Sequence, residues 1–149
     1  MKHFLALAAV VVSLPLFAGE DASDKRPPLT AFYGDTQFGL LTCSLHIMIA
    51  VEKTKAAELG SPMNDKEGGD FRACISDSLE TVKPRYEKAL KFSKSSAKKT
   101  ALKNYYAAWI STMQALPPRM DELKISYRKR TADAEDRLKE LWAKVEIEQ

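Results

Sequence analysis

Two cysteines, Cys43 and Cys74, constrain this chain more than any other feature, because a bond between them would tie its first half to its second. Whether they join depends on compartment. Met1 to Ala18 read as a cleavable export signal: Lys2 gives a positive start, Phe4 to Phe17 is almost wholly apolar, and Ala18 is a small residue at the cut. The apolar run falls short of the roughly 20 residues of a membrane span. Gly19, Glu20 and Asp21 follow it at once, so no transmembrane anchor is expected after cleavage. The chain is therefore expected to be periplasmic or secreted, where an even cysteine count most simply means one disulfide. Closing that loop is worth about 3–4 kcal/mol. The competing reading is two buried free thiols acting as small hydrophobes.

The remaining residues read as one all-α domain, a small four-helix bundle-like fold stapled once and kinked at Pro84. Residues 19–34 read as a mobile leader, polar as far as Pro27-Pro28. Residues 35–149 form the helical domain. Asp35 or Thr36 caps a first helix that ends at Leu59 before Gly60. Ten of the fourteen residues from Phe38 to Val51 are apolar and lie all round the cylinder, the pattern of a buried central helix. Gly60 to Gly69 is a loop and Asp70 caps the second helix. Its stripe is Phe71, Ile75, Leu79, Val82, Tyr86 and Leu90, at steps of three and four. Pro84 lies inside that stripe, where it removes a hydrogen bond and predicts a kink or restart. Ser93 to Ser96 is a break.

A third helix is expected from about Ala97 to Leu116, with a stripe of Leu102, Tyr106, Trp109, Met113 and Leu116. Pro117-Pro118 ends it. A fourth runs from about Arg119 to Val145, with Asp121 and Glu122 complementing its positive end. Its seam is Met120, Leu123, Tyr127, Ala134, Leu138, Leu141 and Val145. These boundaries make the disulfide a test. With the first helix reaching Leu59, Cys43 lies about 24 Å from its end, but Cys74 only about 6 Å into the next helix. Joining them requires the Gly60–Gly69 segment to run back along the first helix, so that the second starts beside its middle.

Little in the chain carries catalysis. His3 leaves with the signal, which leaves His46 alone and removes sites needing two histidines. Cys43-x-x-His46 shares a helix face, and with Met48 nearby it offers a weak copper or zinc set, which a disulfide would consume. No Gly-x-Ser-x-Gly elbow is present, and Ser44 and His46 point different ways on a helix. No catalytic residues, no enzyme activity and no cofactor are expected.

The strongest asymmetry is a basic tract. Lys83, Arg85, Lys88, Lys91, Lys94, Lys98, Lys99 and Lys103 face a single anion, Glu87, across the break between the second and third helices. They predict a positive corner for an anionic partner such as lipid or lipopolysaccharide head groups, an acidic protein or a polyanionic glycan. Nucleic acid would also suit the interleaved Tyr86, Phe92, Tyr105 and Tyr106, but export removes it. The alternative is a solvated face neutralised by acids in Asp65 to Glu80. Tyr105, Tyr106, Leu141 and Trp142 are candidates for a protein-contact patch. Three functions stand in order: an exported, non-enzymatic binding or adaptor protein using the basic corner; a periplasmic inhibitor or immunity-type protein that binds another exported protein; and a small metal-binding protein. The oligomeric state is left open.

Overall fold

The two cysteines are bonded. In the computed structural model, which describes residues 25–53 and 65–148, the Cys43–Cys74 disulfide joins the first two of four helices, with Cα atoms 5.8 Å apart. These are α1 (Pro28–Lys53), α2 (Asp65–Phe92), α3 (Ser96–Gln114) and α4 (Lys124–Ile147). The chain is an all-α, bundle-like domain in which α1 packs chiefly on α2 and α3 on α4. The expected signal, residues 1–18, lies outside the described residues.

The hairpin formed by α1 and α2 is a simple one, which corrects the expected fold-back. Cys43 lies about 15 Å before Lys53, and Cys74 about 14 Å after Asp65, at the rise of an α-helix. The cysteines are therefore level when the helices run side by side. Residues 65–69 of the expected Gly60–Gly69 loop belong to α2, and Asp70 is a helix-interior residue instead of a cap. Residues 54–64, including the expected stop at Gly60, lie outside the described residues. Helix α2 runs through Pro84 without restarting.

The leader is also shorter than expected. Helix α1 starts at Pro28, where a proline loses nothing because first-turn N–H groups have no helical partner. Ala31 N–H donates to Pro27 O at 2.9 Å, closing the first turn. Residues 28–34 are thus helical, and Ala31 and Phe32 are buried. Asp35 caps nothing. Its carboxylate bridges Arg26 at 3.0 Å and Arg85 of α2 at 3.1 Å.

Aromatic rings fill the centre. Phe32 meets Tyr86, Tyr105, Tyr106 and Trp142, with ring centroids 5.7–6.3 Å apart. Tyr33 stacks on Trp142 at 4.2 Å. Such contacts add about 0.5–1.5 kcal/mol each beyond area burial. Hydrogen bonds set the register of α1 on α3. Gln37 Nε2 donates to Tyr105 Oη, which lies 2.8 Å from Thr36 Oγ1. Thr36 Oγ1 gives its own proton to Tyr33 O, so Tyr105 must be the donor to Thr36. Trp109 Nε1 donates to Thr36 O at 2.9 Å. Gly39 lets α1 approach α2 closely, since a Cβ there would lie 3.0 Å from Ser78 Oγ and 3.1 Å from Ser78 Cβ.

The expected break falls at residues 93–95, and Ser95 caps α3, accepting from Lys98 N–H. The fourth helix begins at Lys124, five residues later than expected. The intervening turn, with Asp121 at φ 57°, is held by Arg130. Its guanidinium grips Glu122 with two 2.8 Å bonds and donates to Ala115 O and Pro117 O. Glu122 also accepts from Arg119 N–H. Its carboxyl is held down to about 2, chiefly by the Arg130 hydrogen bonds.

Candidate functional site

Three surfaces follow from this packing. The first is the junction of α2 and α3. Lys83, Lys88, Lys91, Lys94, Lys99 and Lys103 are exposed and Lys98 is half-buried. Among the described residues none of these seven lysines forms an ion pair. Arg85, the eighth cation, is half-buried and bonded to Asp35, which makes it a brace between helices. The first turn of α3 carries no acidic residue, so its positive end adds to the field, and exposed Phe92 stands at the edge.

The second surface is the expected aromatic contact patch, which packing dismantles. Tyr105 is fully buried and Trp142 nearly so. Neither is available to a partner. Burial raises the Tyr105 hydroxyl pKa above its ordinary value. Trp142 Nε1 is buried with no hydrogen-bond partner among the described residues, so its seat is made by ring packing: it stacks on Tyr33 and meets Tyr105 edge-on. Tyr106 is half-buried and stacked on Tyr86 at 4.1 Å. Leu141 is half-buried and lines a shallow groove of about 410 Å³ with Ser96, Thr100 and Lys144.

The third surface corrects the reading of the first helix as a fully buried one. Phe32, Leu40, Cys43, Ile47 and Val51 face the core, but Phe38, Leu41, Leu45, Met48 and Ile49 face outward at 40–71% exposure. Grooves flank this face. One of about 500 Å³ lies against α2, with Asp35, Thr42, His46, Asp70 and Asp77 in its walls. The other, of about 270 Å³, lies against α4 and includes Ser44, Val51, Arg128 and Glu135. His46 is exposed on the α2 side. The disulfide takes the Cys43 sulfur, so His46 and Met48 lack the thiolate on which a metal set depended. Among the described residues no three His, Cys, Asp or Glu side chains are grouped to hold a metal ion. No described helix is long and apolar enough to cross a membrane.

No family model, curated protein or solved structure matches this chain.

Proposed function

We propose that the protein is an exported, non-enzymatic binding protein whose α2–α3 corner engages an anionic partner. The observation that carries this reading is the run of seven lysines, on either side of the α2–α3 break, without ion-pair partners among the described residues. Uncompensated like charges repel one another and weaken the compact state. They remain favourable when a polyanion supplies the missing charge. The disulfide suits an oxidising compartment, and the apolar start of the chain suits export to one.

The test is co-sedimentation with vesicles containing an anionic phospholipid, against vesicles of zwitterionic lipid alone. Binding only to the anionic vesicles, lost in Lys91→Glu/Lys94→Glu/Lys98→Glu and at high salt, supports the corner. Binding that survives charge reversal removes the lipid-headgroup form of the reading. Heparin and an acidic protein serve as the other polyanions in the same assay.

A further inference from the structure

We infer that the trough between α1 and α2 receives an amphipathic helix of another protein, one with basic side chains along a flank of its apolar stripe. The trough encloses about 500 Å³. Its floor is uncharged, made by Gly39, Thr42, Cys74 and Ser78. The lip on the α1 side is apolar. Phe38 stands in it at 71% exposure, and Leu45 and Ile49 prolong it along the same side of the helix, at steps of seven and four. The lip on the α2 side is acidic. Asp70 and Asp77 are exposed, and neither forms an ion pair among the described residues. Seven residues separate them, which is two turns of helix, so they share a face at a spacing of about 10 Å. Among the described residues no lysine or arginine lines the trough, and its one imidazole, His46, sits on the α1 wall. Asp35, at the opposite end from Asp70, is already held by Arg26 and Arg85.

The two lips together choose the occupant. The apolar one gains from contact with apolar side chains, and the two unpaired carboxylates gain only from cations. An anionic membrane satisfies the first and is repelled by the second. The same face of a second copy brings no free cation, because beside α1 Arg128 is taken by Glu52 and Lys139 by Asp136. A small amine reaches one carboxylate and leaves the other, about 10 Å away, unmatched. A helix laid along the trough meets both. Basic residues at i and i+7 on one flank have the same rise as Asp70 and Asp77, while apolar residues at i+3 and i+4 turn toward Phe38, Leu45 and Ile49. From Phe38 to Ile49 the lip is about 16 Å long, which a partner helix of about three turns covers. This surface is distinct from the lysines flanking the α2–α3 break, and either assignment can fail without the other.

The test is fluorescence anisotropy with three labelled peptides of one amphipathic helical sequence, a leucine stripe flanked by two positions seven apart that hold lysine, glutamine or glutamate. The expected order of affinity is lysine over glutamine over glutamate. An exposed ion pair is worth up to about fivefold, so Asp70→Asn/Asp77→Asn should weaken the lysine peptide by up to about 25-fold and leave the glutamine peptide unchanged. Asp70→Lys/Asp77→Lys should reverse the order and favour the glutamate peptide. Phe38→Ser/Ile49→Ser, both at exposed positions, should weaken all three with the helical circular dichroism intact. Glu140→Gln/Glu146→Gln removes the same charge from exposed positions of α4 and should change nothing. Absence of lysine-peptide binding overturns the inference, as do equal affinities for the three peptides. Equal losses in the α2 and α4 carboxylate variants, or native binding by Phe38→Ser/Ile49→Ser, place the peptide elsewhere and overturn it too. A native protein that sediments as a dimer which the lysine peptide does not dissociate, and to which it does not bind, gives the trough to a second copy and refutes the assignment.

Discussion

Replacing both cysteines by alanine (Cys43→Ala, Cys74→Ala) removes the covalent link between α1 and α2. The sequence separation is 31 residues, and the chain-entropy cost returned to the unfolded state is about 4 kcal/mol. Cys43 is fully buried, so truncating it leaves a small cavity costing roughly 1 kcal/mol more. The expected loss of about 4–5 kcal/mol compares with a total stability of about 5–15 kcal/mol for a domain. The variant should therefore fold but with a thin margin, because Gly39 still packs on Ser78 and the Thr36–Tyr105–Trp109 bonds still join α1 to α3. Guanidinium unfolding followed by circular dichroism reads the change. The midpoint should fall, and the denaturant slope should rise because the unlinked unfolded chain is more expanded. Native protein treated with reductant should lose the entropic share only. A double variant within about 1 kcal/mol of the native protein would refute the argument that the staple contributes mainly through the unfolded state.

Three further outcomes follow from the packing. Tyr105→Phe should cost about 1 kcal/mol, and a double-mutant cycle with Thr36→Val should show coupling of that order, read by chemical denaturation. Glu122, held down to about 2 against an ordinary 4.5, contributes stability that is present above about 4.5 and lost as pH falls toward 2. Glu122→Gln should flatten that acid limb by roughly 1–2 kcal/mol in a pH series of denaturation curves. Gly69 has nothing within 4 Å of an added Cβ, so Gly69→Ala should stabilise α2 by up to about 1 kcal/mol, whereas Gly39→Ala must push against Ser78 and should lose that gain, as paired melting curves would show.

Much of the architecture is written plainly in the residues. The all-α class, the disulfide and the break after α2 each come from a signal in the sequence that packing does not override. The misreadings are physical. Asp35 or Thr36 read as the cap that starts the first helix, but Pro28 at the first helical position and the run Leu29, Phe32, Tyr33, Thr36 already continue the α1 core stripe backward. Steps of three and four suit Tyr105 and Tyr106 equally between Leu102 and Trp109, and it is Tyr105 that packs among Phe32, Tyr33 and Trp142 with its hydroxyl bonded to Thr36 and Gln37. Leu141 and Trp142 between Leu138 and Val145 pose the same choice. Which apolar residues of α1 lie outside depends on where α2 and α4 sit, which no local pattern records. The start of α4 was hidden because Glu122 folds back onto Arg130, eight residues on, in place of serving a helix end. Among the site residues, the lysines stay outside the core, while Arg85, Tyr105 and Trp142 belong to the packed structure.

The salt dependence of binding to heparin tests the central claim most directly. Seven lysines that exchange counterions for a polyanion should give a log–log slope of about −5 to −6, and charge reversal at Lys91, Lys94 and Lys98 should reduce it by at least about 2. A slope near zero, or one unchanged by the reversal, would contradict the assignment of the α2–α3 corner as the binding surface.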